Sequence, residues 1–177
     1  SVKKIKELGI ELINSSDYIR TKETAELVSK QLGPKIEVVY DERLREVNHG
    51  DLNGQPIKIY DDYFRSGKTG FSERTPNGEG YADVKKRMGE TIYELEDKYQ
   101  NKNILIVTHE SPIWLLFAVS VGADALKAFT LRPEKKDFIK NAEVRELLFA
   151  PLPHNHDYEL DFHRPFIDEV KIVCDCL

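Results

Sequence analysis

Apolar and polar positions along the chain predict strands and helices in alternation. The four consecutive apolar residues 104–107 (Ile-Leu-Ile-Val) are typical of a strand buried on both faces of a parallel sheet. Shorter apolar runs predict further strands at 10–13, 36–40 and 144–150. Helical spacing predicts helices at 2–8, 19–32, 81–99, 113–121 and near 123–129. This alternation predicts a three-layer α/β/α sandwich around a mostly parallel sheet.

A histidine follows the most apolar strand. His109 is placed by residues 104–107 at the carboxyl end of that strand, the edge at which open α/β sheets bind ligands. Ser111 is expected to cap the next helix, with Pro112 at its first position. A helix amino terminus favours an anion, phosphate above all. From these residues alone, His109 either serves such a site or only ends the strand and bonds to its own backbone.

Two further polar residues are candidates for the same chemistry. Arg20 lies in the first turn of the helix at 19–32, where a guanidinium and free amides together suit phosphate. The alternative is a surface arginine paired with Glu23 or Glu26. Glu46 lies in the polar loop 41–54 and is a candidate proton donor for ester cleavage, or simply a solvated acid.

Composition narrows the class of protein. A chain of 177 residues has enough core for one domain, and its net charge of −5 gives no basic surface for non-specific nucleic-acid binding. Two cysteines near the end favour a reducing, cytoplasmic location, and neither a signal peptide nor a membrane-spanning apolar stretch is present. Because the sequence starts at Ser1 without Met, we expect a piece of a larger protein.

Four segments, in order, resemble the histidine phosphatase superfamily, the phosphoglycerate-mutase-like proteins. Residues 15–25 (SSDYIRTKETA) are similar to its S-S-P-L-x-R-A-x-Q-T-A segment, and residues 44–54 (LREVNHGDLNG) to its L-x-E-x-x-x-G-x-x-x-G loop. Residues 77–79 (NGE) fit its G-E-S, and residues 107–109 (VTH) fit its V-x-H strand end.

The resemblance implies a pocket for a small phosphorylated substrate. Arg20 would clamp the phosphate, with Ser16 and Thr24 contributing to the binding site and Gly78 and Glu79 on its rim. No metal or other cofactor is expected for this domain.

The resemblance also implies catalytic roles. His109 would hydrogen-bond the phosphate and stabilise the transferring group, Arg20 would act with it, and Glu46 would protonate the leaving alcohol. The family's chemistry proceeds through a covalent phosphohistidine.

The chain departs from the family pattern in two ways. It contains no R-H-G, the tripeptide that carries the nucleophilic histidine at the end of the family's first, central strand. Either this strand is missing upstream or the domain has lost its nucleophile; we expect truncation upstream, which leaves a gap in the sheet. Asp17 stands where the family has Pro, Gly80 where it has Ser, and Glu110 where Gly is common. The two acids would weaken anion binding unless they point away.

The tail carries a second resemblance. Residues 155–176, with the core DFHRPFID at 161–168, are similar to a segment of isoleucyl-tRNA synthetases. We therefore predict a histidine-phosphatase-like domain at 1–152 and a synthetase-like connector at 153–177. A zinc cluster is the alternative for this tail, although the usual paired spacing is missing. Its ligands would be His154, His156, His163, Cys174 and Cys176.

Three hypotheses follow. The first is a fragment of an isoleucyl-tRNA synthetase, with ATP and tRNA as ligands of that parent protein, carrying an inserted domain that binds or hydrolyses a phosphate monoester. The second is a free-standing phosphoglycerate-mutase-like phosphatase truncated at its amino terminus. The third is a non-catalytic phosphate-binding module.

Overall fold

The computed structural model describes residues 2–34, 36–56, 58, 59, 62, 63, 70–132 and 139–163. Three strands are present in this part: β1 (Leu12–Ser15), β2 (Glu37–Tyr40) and β3 (Ile104–Val107). Five helices whose bounds lie in this part accompany them: α1 (Val2–Glu7), α2 (Ile19–Leu32), α3 (Tyr81–Lys98), α4 (Glu110–Ser120) and α5 (Ala125–Thr130). Two 3₁₀ turns, Glu42–Leu44 and Gly50–Leu52, lie in the loop after β2.

The three strands form one parallel sheet in the order β2-β1-β3. Leu105 and Val107 of β3 pack on one face with core residues of α1 and α2, including Ile5 and Val28. Ile106 packs on the other face, in the cluster formed by α3 and α4. Helices therefore cover both faces of the sheet, and the predicted three-layer α/β fold is confirmed.

Several predicted boundaries agree closely with the structure. α2 spans Ile19–Leu32 and ends at Gly33, and β3 spans Ile104–Val107, both as predicted. β1 extends two residues beyond its predicted end, because Asn14 and Ser15 are buried strand residues despite their polarity. α4 begins at Glu110 with His109 as its N-cap, so the prediction that Ser111 caps this helix is wrong.

The predicted last strand at 144–150 is also wrong. These residues form no regular element, although Leu147 and Phe149 pack on one core cluster and Val144 on the other. A strand needs a neighbouring strand to satisfy its backbone. Segment 143–149 lines a groove of about 410 Å³ that β3 also lines, so the two do not pair.

The groove runs along the outer edge of β3, in the layer of the sheet. Ser16 N–H donates to the carbonyl of Val107 at 2.9 Å. Because peptide groups alternate along a strand, the N–H and C=O of Ile104 and Ile106 then point away from β1 and into the groove. Its walls are mainly apolar and include Ile92, Leu95, Ile113, Leu116, Phe117, Leu147 and Phe149.

The described part of the tail packs on α3. Tyr158 lies against Gly89, and Lys85 Nζ donates to the carbonyl of Asp157 at 2.8 Å. The domain boundary at 152/153 stays a prediction.

Among the helices described, none has both the length and the apolar character needed to span a membrane.

Candidate phosphate site

The site begins where β1 and β3 end side by side. Their parallel register, with Ser15 opposite Val107, brings the next residues of both strands to the same edge of the sheet. Ser16 Oγ lies 2.9 Å from His109 Nε2, across 93 residues of sequence. Both side chains are buried. The order of the strands, not the proximity of the residues in sequence, creates this pair.

Arg20 completes the contact from the first turn of α2. Its Nε lies 3.2 Å and its Nη2 2.9 Å from His109 Nδ1. A guanidinium can only donate, so Nδ1 is the acceptor and the imidazole proton is on Nε2, which donates to Ser16 Oγ. The predicted convergence of Arg20 and His109 is therefore seen directly, and Arg20 makes its contact there rather than with Glu23 or Glu26.

Burial and charge keep His109 neutral. Its side chain is desolvated and faces the guanidinium groups of Arg20 and Arg87, which together lower the pKa of His109 to about 4. At neutral pH the ring carries no charge. A phosphate dianion placed beside it would raise its pKa again, because an opposite charge favours the imidazolium.

The Tyr18 ring contacts three side chains of the site. Its ring meets the His109 ring edge-on at 5.3 Å between centroids. The Cζ atom of Arg20 lies 5.1 Å and that of Arg45 5.7 Å from the Tyr18 ring centroid. Two guanidinium groups therefore flank the phenol ring next to the histidine.

The two acids that depart from the family pattern are both paired with arginines. Arg45 donates from Nε and Nη2 to the two carboxylate oxygens of Asp17, each at 2.6 Å. Glu110 lies 3.5 Å from Arg132 Nη2. The local negative charge of Asp17 and Glu110 is thus compensated within the structure.

Arg87 of α3 organises the loop that carries Glu46. Its guanidinium donates to the carbonyls of Arg43, Arg45 and Glu46, the last two at 2.7 and 3.3 Å. It also forms an ion pair with Glu79 at 2.9 Å. Glu46 itself is half-buried, and its Oε1 accepts the N–H of the next residue at 2.9 Å.

Gly78 and Glu79 hold the second loop against the first. Glu79 accepts the N–H of Asn48 at 2.9 Å and donates its own N–H to the Asn48 carbonyl at 2.7 Å. A Cβ at Gly78 would lie 2.2 Å from Thr75 Oγ1 and 2.5 Å from the Asn48 carbonyl oxygen, so only glycine fits. The contacts of Gly78 and Glu79 therefore join their loop to the loop after β2, at the predicted rim of the site.

Thr24 is directed elsewhere than predicted. Its hydroxyl donates to the carbonyl of Arg20 within α2, at 2.8 Å, and is exposed. The structure thus brings together Ser16, Arg20 and His109, places the Glu46 loop beside them through Arg87, and leaves Thr24 bonded to its own helix.

Sequence reasoning missed Arg87, Tyr18 and the role of Arg45. A signal existed for Arg87, which falls on the same helical face as the apolar Val84 and Met88. A charged residue on such a face needs partners. No local signal shows that Arg45 reaches Asp17.

The part of the chain that the structure describes contains no cluster of His, Cys, Asp and Glu suited to a metal ion. The alternative zinc cluster included Cys174 and Cys176, which lie outside the described residues, as does most of the synthetase-like segment.

A family profile described as the histidine phosphatase superfamily (branch 1) matches residues 2–149. The chain belongs to this superfamily. Two curated relatives are named "Probable phosphoglycerate mutase GpmB". The protein from Shigella boydii is 32% identical, and that from Escherichia coli 31%, over 132 residues. Each alignment covers 72% of this chain and 60% of the relative, so the chain spans about 60% of the length of these relatives.

Solved structures agree with the family assignment. Bacillus stearothermophilus YhfR matches with a TM-score of 0.63 and 27% identity, covering 73% of this chain and 65% of that one. A mycobacterial glucosyl-3-phosphoglycerate phosphatase matches at a TM-score of 0.61 and 23% identity over 72% of this chain and 66% of its own, which shows the shared fold. These findings support the phosphatase hypothesis. They give no support to an isoleucyl-tRNA synthetase as the parent protein.

Proposed function

We propose that this superfamily member acts on a small phosphate monoester, as a phosphohydrolase or phosphomutase. The observation that carries the proposal is the contact of Arg20 Nη2 with His109 Nδ1 at 2.9 Å, at the carboxyl edge of the sheet. Two curated relatives named as probable phosphoglycerate mutases support the same class of substrate. No metal enters the proposed chemistry, and a cytoplasmic location remains a prediction.

In this proposal each residue has a distinct role. Arg20 turns its guanidinium from His109 to the phosphate and binds two of its oxygens. His109, made more basic by the adjacent dianion, takes up a proton and stabilises the charge of the transferring phosphoryl group. Glu46 donates a proton to the leaving alcohol. Ser16 holds the histidine ring in place through Nε2.

Phosphoryl transfer through a phosphohistidine also needs a nucleophile, and the 177 residues contain no R-H-G. We propose that an extended strand of the intact protein, outside these residues, supplies it from the groove beside β3. The groove offers outward-facing peptide groups at Ile104 and Ile106 and apolar walls on both sides. A strand lying parallel to β3 would end beside His109, at the ligand-binding edge of the sheet.

The non-catalytic phosphate-binding module is the second candidate. The observation that favours it is the absence of the R-H-G tripeptide, since Arg20 and His109 alone can bind an anion but form no covalent intermediate. The synthetase-fragment hypothesis remains a prediction from the tail sequence.

The test is turnover of p-nitrophenyl phosphate by the intact gene product. We expect hydrolysis, abolished by Arg20→Ala and by His109→Ala and unchanged by Lys30→Gln, an exposed residue in the last turn of α2. If the protein bound inorganic phosphate without turnover, the phosphohydrolase or phosphomutase proposal would be wrong and the non-catalytic binding module would be supported. If the protein neither bound inorganic phosphate nor hydrolysed p-nitrophenyl phosphate, both proposed functions would be rejected.

A further inference from the structure

The ion pair between Asp17 and Arg45 lies at the edge of the proposed phosphate site. Asp17 directly follows Ser16, whose hydroxyl contacts His109. Arg45 lies against the same Tyr18 ring as Arg20, at comparable distances from its centroid. A second guanidinium and a competing carboxylate thus flank the group that would bind the anion.

The pair is accessible to solvent and can exchange partners. The side chain of Arg45 is 40% exposed and that of Asp17 25%. Two hydrogen bonds occupy Nε and Nη2 of Arg45, whereas Nη1 makes a longer contact, 3.4 Å, with Glu42 among the described residues. Exposed ion pairs hold their partners weakly, so an anion in the site could take over this guanidinium.

The charge of Asp17 persists at neutral pH. The hydrogen bonds and positive charge of Arg45 hold the pKa of the Asp17 carboxyl below its usual value. Any ligand that recruits Arg45 must therefore displace an ionised carboxylate.

We propose that Arg45 is a second anion-binding arginine of the site, and that Asp17 is an internal competitor that makes the site select dianions over monoanions. The inference rests on the proposed phosphate site. A monoanion offers Arg45 no more charge than the carboxylate it replaces. A phosphate monoester brings two negative charges, which Arg20 and Arg45 share. Phosphomonoesters are thereby favoured over phosphodiesters and sulfate esters.

The test compares phenyl phosphate, a dianion at pH 8, with phenyl sulfate, a monoanion of similar shape. Binding of each to the 177-residue chain, which carries no R-H-G nucleophile and should not hydrolyse the ligand, is measured by isothermal titration calorimetry, and the fold of every variant by circular dichroism. We expect Arg45→Gln to weaken phenyl phosphate about tenfold, the scale of one charge-assisted hydrogen-bonded contact, with little effect on phenyl sulfate. Asp17→Asn should strengthen phenyl sulfate several-fold and narrow the preference for phenyl phosphate.

Lys30→Gln is the matched control, because it removes one positive charge at the far end of α2 and should leave both affinities unchanged. The ratio of the two affinities is the decisive measurement, because an ion pair that only joins two segments of the chain would not change that ratio. If Asp17→Asn weakened both ligands in parallel, the pair would only join the loop after β2 to the start of α2, and the inference would be wrong.

If the wild-type protein binds phenyl phosphate and neither variant changes its selectivity, this inference is wrong and the proposed function still stands. A wild-type protein that binds neither phenyl phosphate nor inorganic phosphate would overturn both it and the proposed function.

Discussion

His109 shows how a single side chain takes its properties from three distant segments. β3 delivers it, Ser16 at the end of β1 orients its Nε2, and Arg20 of α2 faces its Nδ1. Because both neighbouring contacts suit the neutral ring and burial opposes the charged one, the histidine is neutral without a ligand. A phosphate would reverse that balance, so this residue can respond to substrate.

The neutral state of His109 predicts a pH-dependent stability. Its pKa is about 4 in the folded protein and 6.5 in the unfolded chain, so the unfolded chain binds more protons between these values. The free energy of unfolding should therefore fall as the pH drops from about 6.5 to about 4, by up to about 3 kcal/mol from this group.

Urea unfolding at pH 7.5, 5.5 and 4.5 measures this loss. His109→Gln removes the titrating group, so the variant should lose less stability on acidification than the wild type. Lys30→Gln, at an exposed residue in the last turn of α2, should lose as much stability on acidification as the wild type. Equal pH slopes for wild type and His109→Gln would contradict the assignment.

At the level of elements, helix α3 is the support of the site. Its Arg87 side chain, only 14% exposed, binds three loop carbonyls and Glu79. The loop after β2 has little regular structure of its own, apart from two 3₁₀ turns. Its conformation, and with it the position of Glu46, is therefore set by a helix more than 30 residues further along the chain.

Arg87→Lys should destabilise the protein by about 2–4 kcal/mol, because one ammonium cannot make the contacts of the planar guanidinium with three loop carbonyls and Glu79 at the same time. Urea unfolding measures the change, and phenyl phosphate affinity should fall with it. Arg74→Lys is the control, since Arg74 also binds an acid, Asp83, through two hydrogen bonds but is 66% exposed. Similar losses for the two variants would argue against a special role for Arg87.

For the molecule as a whole, the decisive feature is the groove beside β3. All four residues of β1 are buried, whereas those of β3 are only partly buried although all four are apolar. The expected gap is therefore not inside the sheet, since β1 and β3 pair directly, but along the outer edge of β3. A further strand there would extend the sheet and reach the site.

Hydrogen exchange along β3 tests this arrangement. In residues 1–177 alone, the amides of Ile104 and Ile106 should exchange faster than those of Leu105 and Val107, which point to β1. In a longer chain that supplies the proposed strand, the same two amides should become protected. Uniform protection of residues 104–107 in the isolated chain would show that the outer edge is already paired.

The elements that sequence patterns predicted well are those whose signals are local. α2 combines helical spacing with a terminating Gly33, and β3 is a continuous apolar run. The strand predicted at 144–150 failed because its apolar residues pack on the cores without a neighbouring strand. For the site, Arg20 and His109 were recognisable from motifs, while the partners of Asp17 and Glu110 were not.

The sequence by itself determined the order of β1, β2, β3 and the helices between them, the acidic net charge, and which residue types stand at the strand ends. These follow from periodicity and composition, which act within one segment. The tertiary structure alone decided that Arg45 neutralises Asp17, that Arg87 holds the Glu46 loop, and that no strand among the described residues pairs with the outer edge of β3. Ion pairing and strand pairing depend on distances between segments far apart in the chain, and only the packed fold sets those distances.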